Sequence, residues 1–123
     1  MALAHPIVLI ADDDRLVRES LGDAFDVFGW DVCVAASGGE AIKVLERQRL
    51  DLLVSDIDMP DMTGFQLLSW VRAHLPPRPP VVLMSARADE ALGRTAISEG
   101  AVTLLAKPVE VDRLNTVINT LFH

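Results

Sequence analysis

Cysteine is all but missing from this chain of 123 residues: Cys33 stands alone. It cannot form an internal disulfide, so a reducing compartment is compatible, and a core position is its plainest reading. Long apolar runs are lacking too. The first one, Ile7 to Ala11, is too short for a signal peptide or a membrane span, and acids follow it at once. Positive charge is scarce. Eleven Lys and Arg face 18 Asp and Glu, and the net charge of −7 argues against non-specific binding to nucleic acid. Tyrosine is absent, and the two tryptophans, Trp30 and Trp70, are expected to pack at helix ends or surfaces rather than to stack on bases. Trp70 also falls off its helix's apolar face, where it marks a possible contact surface. The three histidines, His5, His74 and His123, are scattered, which supports neither a zinc site nor a Ser-His-Asp triad. There is no internal repeat and no low-complexity tail. The Pro76-Pro77-Arg78-Pro79-Pro80 stretch reads as a stiff connector within one domain. The default is a single cytoplasmic domain over residues 1–123, with no membrane association.

What is present is a repeated alternation. Ile7 to Ala11 reads as a buried strand ending in Asp12-Asp13-Asp14, with Asp14 placed to cap the next helix. Val17, Leu21, Ala24, Phe25 and Phe28 share a face of that helix, and Gly29 ends it. A second strand runs from Asp31 to Ala36, followed by a Ser37-Gly38-Gly39 turn and a helix from Glu40 to about Gln48. The third strand, Leu52 to Val54, ends in Ser55-Asp56 and opens into a loop marked by Asp58, Pro60, Asp61 and Gly64. A helix starting near Phe65 buries Leu67, Leu68, Val71 and Leu75. Val81 to Met84 is a fourth strand, ending in Ser85-Ala86. The helix after it, Asp89 to Glu99, has a thin face of Leu92, Ala96 and Ile97 and is weakened by Gly93. Val102 to Ala106 runs into Lys107-Pro108. The last helix, Glu110 to Phe122, repeats apolar residues at Val111, Leu114, Val117, Ile118 and Leu121. Five strand–helix units with short loops predict an α/β domain: a doubly wound (βα)5 parallel sheet, order 2-1-3-4-5, helices on both faces.

In such a sheet the carboxyl ends of all strands lie on one edge. Asp12, Asp13, Asp56, Ser85 and Lys107 therefore converge. Each has a plain reading alone, as a turn former, a cap or a solvated charge. Together they suit phosphoryl transfer. Crowded carboxylates repel and need a cation. All-oxygen ligands suit magnesium, with manganese as the alternative. Asp13 and Asp56 would bind it directly and Asp12 through water. Asp56 would be the nucleophile, and Lys107 with the metal would neutralise the phosphoryl oxygens. Ser85 would donate a hydrogen bond to one of them.

These residues carry a resemblance. Ile-Ala-Asp-Asp-Asp, Ser-Asp-Ile-Asp-Met-Pro-Asp-Met-Thr-Gly, Leu-Met-Ser-Ala and Ala-Lys-Pro, at their spacing, resemble the receiver domain of two-component response regulators, a chemotaxis-regulator-like, flavodoxin-like fold. The resemblance implies Asp56 as phosphoacceptor, Asp12 and Asp13 as the acid pair, Ser85 as the switch hydroxyl and Lys107 as the lysine. It implies a further metal ligand in the main-chain carbonyl of Asp58, a cis Lys107-Pro108 bond, and a phosphate that hydrolyses in time. It implies a sensor histidine kinase or histidine phosphotransfer protein as donor. Docking is expected on the first helix, with Leu16, Arg18 or Ser20 on its exposed side. The fourth helix, fifth strand and fifth helix form the face that switches, for a homodimer or a downstream target. Such a domain is a signalling switch rather than an enzyme, and no output domain is visible. Leu104 departs from the family, which carries Tyr or Phe there, so coupling would be weaker or run through backbone shifts. Asp58 and Arg87 occupy positions that tune phosphate lifetime, either paired across the site mouth or as two solvated charges. Two rival readings are a degenerate receiver that only binds partners and a haloacid-dehalogenase-type phosphatase. The latter places its Asp-x-Asp motif on the first strand, whereas Asp56-Ile57-Asp58 follows the third.

Overall fold

The computed structural model describes residues 5–122; His123 lies outside them. The elements alternate strictly in the order β1 (Ile7–Ala11), α1 (Arg15–Val27), β2 (Asp31–Ala35), α2 (Gly38–Arg47), β3 (Leu52–Asp56), α3 (Gly64–His74), β4 (Val81–Ser85), α4 (Glu90–Ser98), β5 (Thr103–Ala106) and α5 (Val111–Leu121). The strands form one parallel sheet in the order β2-β1-β3-β4-β5. This is the doubly wound order expected from the alternation.

Period-two alternation divides the core. Leu9, Leu53 and Leu83 face one side, where Ala41 and Leu45 of α2, Leu67, Leu68 and Val71 of α3, and Ala96 of α4 cover them. Val8, Ile10, Leu52, Val54, Val82 and Met84 face the other, against Leu21 and Phe25 of α1 and Leu114 and Ile118 of α5. β3 and β4 are buried along their whole length, which is why they read as unbroken apolar runs. The helices begin on side-chain caps. Asp14 accepts from Leu16 N–H, Ser37 from Glu40 N–H and Asp89 from Leu92 N–H. Thr63 and Gln66 form a capping box at the start of α3, one turn signal that the loop composition hides.

Several expected core positions shift outward. Ile97 on α4 is 59% exposed and Val111 on α5 is 54% exposed. Both sit at the rim of a helix whose apolar stripe is narrower than the pattern suggests. On α4 only Ala96 is fully covered. Cys33 is half-buried, and its Sγ accepts from Gln48 Nε2 at 3.2 Å. That placement follows from β2 being an edge strand. Trp30 goes the other way. It follows the end of α1, but it is buried and packs edge-to-face on Phe25 at 5.5 Å and on Phe122 at 5.1 Å. Trp70 is half-exposed and stacks on His74 with ring centroids 4.8 Å apart. Gly29 and Gly100 both take positive φ where α1 and α4 end. The Lys107-Pro108 bond is cis, as the resemblance implied, and Pro76-Pro77 is cis as well.

Phe25 is the hub of the α1–α5 side, fully buried and in ring contact with Phe28 and Trp30. Phe25→Ala is expected to lower the unfolding free energy by about 3–5 kcal/mol, read from urea denaturation monitored by circular dichroism. A loss below 1 kcal/mol, roughly the scale of an ordinary surface change, would mean that this side of the core is not assembled as described.

Candidate functional site

Strand register brings the expected residues to one edge. Ala11 pairs with Ser55, so Asp12 follows β1 level with Asp56 at the end of β3. Asp56 pairs with Met84, and Ser85 pairs with Ala106, which puts Lys107 just beyond. Asp12 is fully buried, Asp56 is 4% exposed and Ser85 is 1% exposed. Asp13 is exposed at the mouth.

The Lys107 ammonium lies 2.6 Å from Asp12 Oδ2 and 3.1 Å from Asp56 Oδ2. One cation thus serves two buried carboxylates. Burial pushes the Asp56 carboxyl above its ordinary range; the Lys107 hydrogen bond pulls the other way, and the neighbouring Asp12 charge adds to the rise. Burial alone would lower Lys107, but its bonds to Asp12 and Asp56 outweigh that, and its pKa is raised. Asp12 Oδ1 accepts from Asp14 N–H at 2.8 Å. Asp12 Oδ2 is buried, and its one close cationic partner among the described residues is the Lys107 ammonium. Asp12, Asp13 and Asp56 each offer a carboxylate oxygen within 4.8 Å of the others. Three such acids with one lysine leave uncompensated negative charge and an under-satisfied buried oxygen. That donor set fits a hard divalent cation.

The surrounding loops carry the remaining residues. Ser85 Oγ accepts from Arg87 N–H at 3.0 Å, and Ser85 O accepts from Lys107 N–H at 3.0 Å. Arg87 and Asp58 do pair across the site mouth, Nη2 to Oδ2 at 3.2 Å, with both side chains mostly in solvent. Such a pair is worth about 0–1 kcal/mol. Leu104 is half-buried against the α2–α3–α4 side of the core and lines a groove of about 460 Å³ between α4 and the start of α5. Leu16 and Ser20 are exposed on α1, but Arg18 corrects its expectation. Its guanidinium folds back and donates to the main-chain carbonyl of Asp12 at 2.8 Å. Helical periodicity put Arg18 on the outer side, but a long side chain at the first turns reaches the strand end beneath it.

Close approach requires glycine at Gly64. A Cβ there would lie 2.6 Å from the main-chain oxygen of Asp56 and 3.0 Å from Ile57 Cα. Sequence reasoning missed Asp61 except as a turn marker. Its carboxylate takes Gly38 N–H at 2.9 Å and Gly39 N–H at 2.8 Å, and those bonds hold its pKa below the usual range. The Gly-Gly start of α2 was the available signal.

The Asp56 shift has a consequence for stability. Its folded-state pKa lies above the unfolded value, so its protonated form favours the fold below the unfolded pKa. That contribution is lost as pH rises through the folded pKa. At neutral pH without divalent cations, Asp56→Asn is therefore expected to raise the urea midpoint. The gain should shrink as pH falls towards about 4, near the ordinary Asp value. A variant less stable than wild type at pH 7 would mean that the Lys107 pair outweighs the burial of the charge.

This arrangement coincides with known relatives. The family model described as response regulator receiver domain matches residues 8–119. The chain is 37% identical over 107 residues to response regulator protein FleR of Pseudomonas aeruginosa, a match that covers 87% of this chain and 22% of that one. It is 33% identical over 125 residues to the probable chemotaxis protein CheY of Rhizobium etli, covering 99% of this chain and 97% of that one. Among solved structures, the receiver domain of Francisella response regulator 1452 superposes with a TM-score of 0.87 at 31% identity, covering 95% of this chain and 96% of that one. The chain spans about a quarter of the length of FleR and of the transcriptional regulators GlrR and DctD, and almost all of the Rhizobium chemotaxis protein. The chain belongs to the response regulator receiver domain family.

Proposed function

We propose that this domain accepts a phosphoryl group on Asp56 from the phosphohistidine of a sensor histidine kinase or a histidine phosphotransfer protein, in the cytoplasm. The observation that carries this reading is the buried Asp56 carboxylate held beside Lys107 at an edge it shares with the Asp12–Asp13 pair. An Asp56 carboxylate oxygen attacks phosphorus, the P–N bond breaks, and the imidazole leaves with the electron pair. An ionised carboxylate needs no general base. Lys107, 3.1 Å from Asp56 Oδ2, would meet a phosphoryl oxygen, and the Ser85 hydroxyl would donate its proton to another. Asp13, Asp56 and the Asp58 main-chain carbonyl would hold magnesium, or manganese, with Asp12 engaged through water. When bound, that ion supplies charge neutralisation to the transferred group. Return to the ground state is attack by water on phosphorus, which releases inorganic phosphate and restores the Asp56 carboxylate. The domain consumes itself as substrate and resets, so it acts as a switch and not as an enzyme on a second molecule.

Phosphorylation adds charge and acceptor oxygens at Asp56. Ser85 turning towards them would pull the β4–α4 loop and repack α4, β5 with Leu104, and α5. That face would then meet a second copy or a downstream target. Leu16 and Ser20 remain candidates for donor docking on α1. The family match over residues 8–119 and the position of Asp56-Ile57-Asp58 at the end of β3, not of β1, favour this reading over a dehalogenase-type phosphatase. No helix among the described residues is long and apolar enough to cross a membrane, and the charge of −7 does not favour direct nucleic-acid binding by this domain.

Incubation with acetyl phosphate is expected to give a magnesium-dependent phosphoryl adduct on Asp56, seen by intact-mass and peptide mass spectrometry and absent from Asp56→Ala. No adduct under any condition, with no binding of beryllofluoride, would leave a receiver that works by binding alone. Arg87→Ala removes the partner of Asp58 at the site mouth. The adduct should then hydrolyse faster, by at most about fivefold if the whole of a pair worth about 1 kcal/mol acts on the barrier. An unchanged or longer lifetime, followed by phosphate release, would make the Asp58–Arg87 contact irrelevant to turnover.

A further inference from the structure

The loop from Ile57 to Thr63 carries Asp58 between β3 and α3, and its two ends are closed locally. Gly64 N–H donates to Ile57 O at 2.8 Å, and Asp58 faces Thr63 in an isolated antiparallel bridge. Its tip is held from outside the loop. Asp61 reaches the N-terminus of α2 and takes Gly38 N–H on Oδ1 at 2.9 Å and Gly39 N–H on Oδ2 at 2.8 Å. A helix leaves its first N–H groups unpaired, and a carboxylate there is held by hydrogen bonds and by the helix dipole together. The match is steric as well. A methyl group at Gly38 would overlap Met62, and one at Gly39 would sit 3.2 Å from Asp61 Oδ2. The Gly-Gly start of α2 is thus shaped to receive Asp61 and Met62 from an element more than twenty residues away.

We propose that Asp61 is a positioning residue for the cation: by clamping the loop tip to Gly38 and Gly39 it fixes the backbone that presents the Asp58 carbonyl. This rests on the phosphoacceptor reading given above and deepens it. A main-chain carbonyl cannot be aimed by a side-chain rotamer; only the φ and ψ of its loop aim it. Residues 58–61 are a short, mostly solvent-exposed excursion. With its ends closed but its tip free, the loop would sample several orientations of that carbonyl, and each binding event would have to select one. Two hydrogen bonds to a helix start remove that choice in advance. Partners that orient a metal ligand in this way change affinity on the order of tenfold when removed. Asp61 itself is exposed, so its loss should leave the fold intact.

The test is calorimetric titration of magnesium chloride into the metal-free protein, alongside denaturant unfolding. Asp61→Ala is expected to weaken magnesium binding on the order of tenfold, to lower the metal-free unfolding midpoint modestly while the protein stays folded, and to move the Gly38 and Gly39 amide proton resonances upfield. Gly39→Ala keeps every charge but crowds Asp61 Oδ2, and should weaken binding in the same direction. In the Asp61→Ala background it should add nothing. Unchanged affinity in Asp61→Ala overturns the clamp. So does a loss in Asp61→Ala with none in Gly39→Ala when the Gly38 amide resonance shows that Gly39→Ala has displaced the Asp61 carboxylate, which would trace the effect to charge alone. Additive losses also overturn it, because they would show two unrelated lesions. Wild-type protein that binds no magnesium would overturn the phosphoacceptor reading and the clamp together, whereas a wild type that binds while the variants match it would overturn only the clamp.

Discussion

Two carboxylates almost without solvent access share one ammonium ion at the open edge of the sheet. That shortage of positive charge organises the rest of the molecule. Burying an ionised carboxylate costs several kcal/mol unless it is paired, and Lys107 must serve both Asp12 and Asp56. The arrangement survives because its framework is stiff. β1, β3 and β4 lie at the centre of the sheet with apolar side chains packed on both faces, and the acids sit on the ends of β1 and β3. The neighbouring backbone supports them further. Asp14 N–H donates to Asp12, and the Asp58 N–H pulls the Asp56 pKa down against the effect of burial. Arg18 reaches in to hold the carbonyl between the paired acids.

Rigidity is not evenly spread. α1 and α5 close over Phe25, Trp30 and Leu114, a dense side with three aromatic contacts. α4 has one fully covered residue, an open Gly93 and an exposed Ile97. Elements with so little buried apolar contact open at the lowest free-energy cost. The weak element begins at the loop that leaves Ser85. The helix with the fewest buried residues is therefore tied directly to the site whose charge balance is least settled.

The sheet order, most of the helix faces and the converging residues were legible in sequence because each rests on a strong local signal. Apolar runs bounded by acids or glycines read as buried parallel strands, and parallel connectivity alone sends their carboxyl ends to one edge. What stayed hidden depends on distance in the chain. Trp30 next to a helix end looks superficial until Phe122, far away in sequence, packs on it. Cys33 looks like core until β2 proves to be an edge strand. Arg18 and Asp61 both act on main-chain groups, and neither a carbonyl nor an N–H leaves a compositional trace. The Asp58–Arg87 pair could be named in sequence but not decided, since two exposed charged side chains are equally at home in water. The site residues were legible as a set; how their loops are held was not.

Leu104 limits how the proposed phosphorylation could be communicated. A leucine cannot turn between an inward and an outward ring position, so another group must carry the signal. Ser85 is placed to do so. Its main-chain oxygen receives Lys107 N–H, which ties it to the end of β5, and its hydroxyl oxygen receives Arg87 N–H, which ties it to the β4–α4 loop. If the hydroxyl turns to a phosphoryl oxygen, Arg87 N–H loses that acceptor and the loop must shift to find another. The Arg87 side chain is the one that spans to Asp58 on the β3–α3 loop. Displacement at Ser85 therefore pulls on both loops at once, and through Lys107 on the strand that carries Leu104. A groove lies beside Leu104, between β5 and the start of α4. In the proposed switch, hydrogen bonds converging on Ser85 would carry the signal that Leu104 cannot.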